Sequence, residues 1–205
     1  MRELLDSAVG QWLELSDYLP DFDRHFWDVG AAGFWKLERR QQFREPGYDT
    51  WEAFARGDWD ESMRLLDAHR AAIAAEHQRL AKHGSTVNWV KVVEEPVTPY
   101  LQWELHVLRV REEHGSILRI IPPDRVAALE TAGPLPEINV MGTEVLYELT
   151  YHDDAVNGAW RYTDPGLVAR VRRTIVDLHA AGEPLADYFS REIADLKPPA
   201  GEHLR

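Results

Sequence analysis

The sequence predicts an α/β or α+β fold, in which a helical N-terminal part packs on a small mixed sheet with flanking helices. Apolar residues recur at helical spacing before Gly84, whereas segments rich in β-branched residues follow it. Strand-like and helix-like segments then alternate, as in a layered domain. We predict a mainly helical part over residues 1–84 and an α/β part with C-terminal helices over residues 85–205, together forming one compact unit.

The predicted helices of the first part are separated by residues that break helices. Residues 2–18 have helical periodicity, and Pro20 is predicted to end this helix. The acidic span 21–33 is predicted to be a loop. Residues 34–43 fit either a strand or a short helix. Asp58 is predicted to cap a long helix that runs to Lys82.

The second part is predicted to supply the sheet. Its strand-like segments lie near Val90, Ile120, Val140, Leu146 and Trp160.

Three dipeptides mark element boundaries in this part. Thr98-Pro99 and Asp164-Pro165 are predicted to start helices, because proline is tolerated in the first helical turn. Asn157-Gly158 is a hairpin-turn signal.

Composition limits the class of protein. The 205-residue chain has no cysteine, which excludes thiol catalysis, thiolate metal sites and disulfides. With no recognisable signal peptide, the absence of cysteine favours a cytoplasmic location. The net charge of -12 opposes phosphate backbones and anionic lipid, so we expect no direct nucleic-acid binding and no membrane binding.

Complete catalytic and cofactor motifs are missing from the sequence. It has no Walker loop, dinucleotide glycine fingerprint, His-Glu-x-x-His helix or Gly-x-Ser-x-Gly elbow. The acidic loop with Asp21, Asp23, His25 and Asp28 lacks EF-hand spacing. We therefore expect no cofactor and no metal, and the sequence leaves open whether the chain is an enzyme.

The first group of candidate ligand-binding residues is the aromatic and charged strip Trp35, Lys36, Glu38 and Arg39. Alternating rings and charges suit a clamp for an anion or a carboxylate, with stacking aromatic walls. The alternative is an ordinary salt-bridged wall, which contributes little to stability. Eight tryptophans in one chain favour a ligand or partner surface.

The second candidate group lies on the helix after Thr98, where Tyr100, Trp103 and Glu104 fall on one apolar arc. A carboxylate on such an arc must be paired, protonated or hydrated. Glu104 is therefore either a ligand anchor or general acid/base with a raised pKa, or one member of a structural pair with lysine or arginine. His106 lies on the opposite face and is predicted to be exposed.

The third candidate group, Tyr147 and Glu148, lies on a predicted meander strand. Alternation places Tyr147 with Tyr151 on one face and Glu148 with His152 on the other. A half-exposed strand without a function explains the same pattern.

Several segments carry a resemblance to a known family. They are Phe34–Glu38, Val90–Pro96, Thr98–Leu105, Val145–Glu148, Thr163–Pro165 and Gly182–Leu185. In these segments the chain resembles an uncharacterised actinobacterial family of domains of unknown function. Members of that family often stand beside helix-turn-helix regulators, so the resemblance implies a regulatory or signal-sensing role.

The order of strands and helices also resembles a phospholipase D-type half-domain of the kind used without catalysis in some regulators. That chemistry requires a His-x-Lys pair, because the imidazole is the nucleophile and the lysine holds phosphate. No histidine here has a lysine two positions later. The resemblance therefore implies no phospholipase activity.

Our leading hypothesis is a non-catalytic module that binds a small molecule or a protein partner, such as a helix-turn-helix regulator, in a regulatory setting. One alternative is a small cofactor-independent enzyme of specialised metabolism that uses glutamate and tyrosine as acid and base. Another is an acidic protein that masks a basic partner. A cleft that joins the Phe34 strip to the Tyr100 helix favours the ligand or enzyme reading. A flat aromatic patch near Trp51 and Trp59 favours a protein partner.

Overall fold

Eight strands form one mixed sheet in the computed structural model, which describes residues 1–199. The strands are β1 (Gln11–Glu14), β2 (Phe34–Glu38), β3 (Val87–Val92), β4 (Ile117–Ile121), β5 (Ile138–Met141), β6 (Val145–His152), β7 (Ala155–Tyr162) and β8 (Glu183–Pro184). The helices are α1 (Arg2–Asp6), α2 (Leu15–Phe26), α3 (Asp49–Ala55), α4 (Trp59–Lys82), α5 (Pro99–Glu113), α6 (Pro165–Ala181) and α7 (Leu185–Tyr188).

The strand order across the sheet is β1-β7-β6-β5-β2-β3-β4-β8. The three strands β2, β3 and β4 are parallel, and every other pairing is antiparallel. Parallel neighbours need crossover connections, which α3 with α4, and then α5, provide. The predicted α/β class is confirmed.

Helices cover both faces of the sheet. Helix α6 buries Val168, Val171 and Ile175 against the face that carries Val90 and Val140. On the opposite face, three further apolar clusters pack under α2, α4 and α5. This second face also carries the polar side chains described in the next section.

The two predicted parts share the sheet. Strands β1 and β2 come from residues 1–84, and they pair with strands of the second part. All five strand segments predicted after Gly84 lie in this sheet. Residues 200–205 of the predicted second part lie outside the described residues.

The predicted helix over residues 2–18 is wrong. The segment divides into α1, β1 and the start of α2, because Gln11–Glu14 pairs with β7 along the sheet edge. Pro20 lies inside α2 and does not end it, and the predicted loop at 21–33 is helical as far as Phe26. Packing of the apolar face of α2 on the sheet outweighs the local cost of one proline.

The predicted turn at Asn157-Gly158 is also misplaced. The β6–β7 hairpin turns at Asp153 and Asp154, whose φ angles are 48° and 61°. Aspartate tolerates this left-handed region better than most residues. Gly158 lies within β7, where an added Cβ atom would come 2.5 Å from the carbonyl oxygen of Leu13. Glycine at this position therefore permits the close approach of β1.

No helix among residues 1–199 is long and apolar enough to cross a membrane.

Candidate functional site

A cavity of about 520 Å³ lies between the sheet and helices α2 and α5. It joins the Phe34 strip to the Tyr100 helix. Apolar walls come from α2 and the neighbouring strands, namely Leu15, Tyr18, Leu19, Phe22, Phe26, Phe34, Val87, Leu149 and Val156. The rest of the wall is mainly charged and aromatic and includes Lys36, Glu38, Phe43, Glu45, Tyr48, Trp89, Tyr100, Trp103, Glu104 and Tyr151. The volume is within the range of cavities that hold small molecules.

Strand β2 explains how residues 34–38 divide between the two faces of the sheet. Successive side chains of a strand point to opposite faces. Lys36 and Glu38 therefore line the cavity, whereas Trp35 packs against the core under α6. There the guanidinium of Arg172 lies 5.3 Å from the Trp35 ring centroid. The structure thus separates Trp35 from the other candidates of the strip.

Helix α5 carries the second group of candidate residues into the cavity. Its start is fixed by Thr98, whose hydroxyl oxygen accepts a hydrogen bond from the Leu101 backbone nitrogen at 3.0 Å. Helical spacing then aligns Tyr100, Trp103 and Glu104 along the buried face. All three predicted residues line the cavity wall.

A buried network of charges connects the sheet to α5. The Nζ atom of Lys91, on β3, lies 2.7 Å from Glu104 Oε2 and 3.6 Å from Glu38 Oε2. Lys36 Nζ lies 2.5 Å from Glu38 Oε1. The indole nitrogen of Trp89 donates to Glu38 Oε2 at 2.9 Å. Lys91 has no exposed side-chain surface, so these carboxylates, and not water, face its ammonium group. The lysine pairing that the sequence left open for Glu104 is thus present.

The carboxylates of this network do not all ionise equally. Burial opposes ionisation of Glu38, but Lys36 and Lys91 outweigh it and hold the Glu38 pKa below 4.5. At Glu104, burial prevails over the attraction of Lys91 and raises the pKa to about 8. Burial likewise raises the pKa of Glu137 to about 7, with a further contribution from Glu38. Burial alone would lower the pKa of Lys91, but the carboxylates of Glu104, Glu38 and Glu137 raise it. The lysine therefore stays charged.

The hydroxyl of Tyr100 connects Glu104 to a third carboxylate of the cavity wall. It donates to Glu45 Oε1 at 2.5 Å, and its oxygen lies 3.3 Å from Glu104 Oε1. Burial raises the pKa of Glu45 as well, and the hydrogen bond from Tyr100 only partly offsets it. Two carboxyl groups that resist ionisation therefore lie on either side of one phenol.

Sequence reasoning missed several members of this site. Lys91 is the most central, and its one sequence signal is a lysine within an otherwise apolar β-branched strand. Glu45 precedes Pro46-Gly47 in a segment that resembles an ordinary surface turn. Glu137 and Asn139 alternate with apolar residues on β5 and its approach, yet both are buried. Only the pairing of β2 with β3 and β5 brings these residues together.

Arg39 and Glu148 lie away from the first cavity, although the sequence grouped them with its residues. The guanidinium of Arg39 binds Glu94 at 2.6 Å and Glu130 at 2.7 Å. Glu148 accepts a hydrogen bond from the Tyr162 hydroxyl at 3.1 Å. Arg39 and Glu148 line a second cavity of about 670 Å³.

Tyr147 is fully buried beneath α2 and lines neither cavity. Its hydroxyl donates to Asp21 Oδ2 at 2.6 Å, and Arg161 Nε lies 2.9 Å from the same oxygen. Tyr147 therefore fixes α2 on the sheet. Tyr147 does not line the cavity with Glu38 and Glu104, because α2 covers the tyrosine.

The structure also shows how exposed His106, Trp51 and Trp59 are. His106 is half-buried rather than exposed, with its ring 5.3 Å from that of Trp59 and 4.9 Å from that of Phe189. Trp51 and Trp59 are partly buried against the core under α4. They do not form a flat exposed patch.

We predict that Glu104→Gln lowers the free energy of unfolding by about 1–3 kcal/mol near the ordinary glutamate pKa, the usual cost of a disturbed buried polar contact. The folded-state pKa of Glu104 is raised from 4.5 to about 8. Between pH 4.5 and about 8 the folded protein therefore binds more protons than the unfolded chain does. The stability that protonated Glu104 contributes to the wild-type protein falls as pH rises through this interval. The variant lacks this decline, so the stability advantage of the wild-type protein shrinks as pH rises and reverses before pH 8, because a shift of this size outweighs an initial advantage of about 1–3 kcal/mol.

Urea unfolding of both proteins across this pH range measures the effect. Glu3→Gln, at an exposed residue of α1, serves as the control for loss of a carboxylate. A stability advantage of the wild-type protein over Glu104→Gln that grows with pH would contradict the raised pKa.

Within residues 1–199, no group of three or more histidine, aspartate or glutamate side chains has an arrangement that could hold a metal ion. A model of the family described as "Domain of unknown function (DUF6879)" matches residues 20–190. No curated protein and no solved structure matches the chain.

Proposed function

We propose that this chain, which belongs to the DUF6879 family of domains of unknown function, is a small-molecule-binding module that works in a regulatory setting. The observation that carries the proposal is the cavity between the sheet, α2 and α5. Apolar and aromatic walls with a few polar groups are typical of sites for small ligands.

The buried charges of the cavity wall support binding as its role. Burying Lys91, Glu38 and Glu104 costs desolvation free energy, and an apolar core of the same volume is often at least as stable. A fold that needed only stability would gain little from this network. Charged groups held in fixed positions beside a cavity serve instead to orient and select a ligand.

The regulatory part of the proposal rests on the family resemblance. We propose that the partner is a helix-turn-helix regulator and that the occupied cavity alters this contact. Co-purification of the two proteins, with and without a ligand once one is found, tests this step. A contact that a ligand leaves unchanged would confine the proposal to ligand binding. The cytoplasmic location expected from the composition is consistent with such a partner.

A ligand screen with a cavity-filling variant tests the main proposal. Ligand-observed NMR with a fragment library of mixed charge should find compounds that bind the wild-type protein. Val156→Trp should abolish their binding, because Val156 lines the cavity and a larger ring occupies it. Asn157→Trp is the matched control, because the adjacent residue on β7 is exposed and does not line the cavity. Binding that survives Val156→Trp in a folded protein would refute the proposal.

A second candidate function is enzymatic, and the Tyr100 hydroxyl between Glu45 and Glu104 favours it. A carboxyl group with a pKa of about 8 is protonated near neutral pH and is suited to act as a general acid. Prolonged incubation of each bound compound with the protein, followed by mass spectrometry, tests for turnover. Compounds that are all recovered unchanged would favour the non-catalytic module.

A further inference from the structure

We infer that the cavity takes an organic cation, a protonated amine on an apolar or aromatic body, with its ammonium group against Glu45 and Glu104. This inference rests on the proposed small-molecule function and names the chemical class of the ligand. Four features of the cavity carry it: its charge balance, its ring faces, an unused acceptor and the position of the remaining charges.

The first feature is a surplus of acid. Five carboxyl groups line the cavity wall, those of Asp23, Glu38, Glu45, Glu76 and Glu104. The cations of the wall are Lys36, Arg44 and Arg111, and a fourth cation, Lys91, contacts Glu38 and Glu104. Both lysines are engaged with Glu38 or Glu104. Among residues 1–199, no lysine, arginine or histidine nitrogen forms a salt bridge with Glu45. An ammonium group from outside the protein would supply the counter-ion that Glu45 lacks, and its charge would favour the ionised forms of Glu45 and Glu104, which burial otherwise opposes.

The second feature is that this cavity region already holds ammonium groups against aromatic rings. Lys36 Nζ lies 3.8 Å from the centroid of the Trp89 ring, and Lys91 Nζ lies 4.9 Å from that of Phe43. Such contacts are favourable because the ring face is negative, and they strengthen when water is excluded. The same combination of carboxylate and ring face therefore suits a ligand ammonium.

Further aromatic rings lie near Glu45, the carboxylate that forms no salt bridge among the described residues. Tyr100, whose hydroxyl donates to Glu45, packs with its ring centroid 5.7 Å from that of Phe43 and 5.4 Å from that of Trp103. Tyr48 also packs against Trp103, with centroids 6.1 Å apart. Because a carboxylate accepts several hydrogen bonds, Glu45 can keep its bond from Tyr100 and accept another from an ammonium group.

The third feature is an unused hydrogen-bond acceptor elsewhere in the cavity wall. Asn139 is 96% buried, and its amide nitrogen donates to the Tyr18 hydroxyl at 3.0 Å. Its Oδ1 atom is buried without a partner among the described residues. A buried polar atom without a partner costs stability, and a polar hydrogen on the body of the ligand would satisfy it.

The fourth feature is the position of the other charged groups on the cavity wall. Arg111 is paired with Glu76 at 3.2 Å, and both are half-buried. Arg44 and Asp23 are exposed. The positive groups outside the network are therefore paired or in contact with solvent, whereas the surplus acid lies deeper. An anion would have to approach Glu38, Glu45 and Glu104 to fill the same space.

Three probes of similar size but different charge test the inference. They are 2-phenylethylamine, 2-phenylethanol and 3-phenylpropionate, titrated by calorimetry and by the fluorescence of the cavity tryptophans. We expect the amine to bind at least about tenfold more tightly than the alcohol or the acid, because a hydrogen bond to a charged group contributes more than a neutral one.

Glu45→Gln removes the carboxylate that has no ion-pair partner and should weaken amine binding by about tenfold or more, while leaving alcohol binding unchanged. Asp23→Asn is the matched control, because this exposed carboxylate also lines the cavity. It should change amine binding by less than about twofold, since an exposed charge contributes little. Circular dichroism of each variant verifies the fold.

Each outcome decides the inference. Preferential amine binding that Glu45→Gln weakens and Asp23→Asn spares supports it. Equal or tighter binding of the alcohol or the acid overturns it but leaves the proposed binding function standing. Amine binding that Glu45→Gln does not weaken overturns the assigned position. Failure of the amine to bind at concentrations on the order of 1 mM also overturns it, and the mixed-charge fragment screen then decides separately whether the cavity binds any small molecule.

Discussion

Replacing Lys91 with methionine is expected to lower the free energy of unfolding by about 3–5 kcal/mol, the usual cost of removing one partner from a buried ion pair. Lys91 has no exposed side-chain surface and lies 2.7 Å from Glu104 and 3.6 Å from Glu38. Methionine fills similar space but removes one of the two ammonium groups that neutralise the buried Glu38 and the one that contacts Glu104. Urea unfolding at neutral pH measures the loss.

Two further variants separate the loss of charge from the loss of packing. Lys36→Met should cost less, because the Lys36 side chain is 18% exposed and water can partly replace it. The double variant Lys91→Met/Glu104→Gln should lose less than the sum of the two single losses, because the two side chains contact each other. A loss below about 1 kcal/mol for Lys91→Met would show that the network contributes little to folding.

Replacing Trp103 with alanine is the second change with a large expected effect, a loss of about 3–5 kcal/mol. Trp103 is fully buried, and its ring stacks on Phe54 at a centroid distance of 5.5 Å. Its indole nitrogen also donates to the hydroxyl of Ser62, which is buried, at 2.9 Å. Alanine therefore leaves a void between α3, α4 and α5, and the Ser62 hydroxyl keeps only the hydrogen bond that it donates to the Thr50 carbonyl oxygen at 2.7 Å.

Trp103→Phe separates these two contributions, because it keeps most of the ring and removes the donor. We expect it to cost about 1–3 kcal/mol, the range for removing one hydrogen-bond partner from a buried polar group. Trp160→Ala is the control for loss of an indole, since Trp160 is 39% exposed and should cost far less. Equal losses of unfolding free energy for Trp103→Ala and Trp160→Ala, measured by thermal and urea unfolding, would contradict the large contribution of buried Trp103 to stability.

Much of the fold could be predicted because local patterns and tertiary packing agree there. The helix caps at Asp58, Thr98 and Asp164 are present, each accepting from the backbone three residues later. The five strand segments after Gly84 are all in the sheet. At these places, periodicity and capping chemistry favour the same conformation that burial favours.

The first third of the chain was harder to predict, because tertiary contacts there outweigh local preferences. Residues 11–14 lie within a helical pattern, but pairing with β7 makes them a strand. Pro20 breaks helices in isolation, yet the packing of α2 on the sheet retains the helix around it. Propensity is a weak preference that burial of one face readily exceeds.

The sequence by itself determined the α/β class, the absence of thiol chemistry, the acidic charge and the burial of Glu104 on an apolar helix face. Only the tertiary structure decided which lysine Glu104 meets, that Trp35 and Tyr147 lie outside the cavity, and that Glu45 joins the site. The physical reason is that periodicity is a local property, which fixes the face on which a side chain lies. The neighbours on that face depend on strand order and helix placement, which join residues more than fifty positions apart, such as Tyr100 and Glu45.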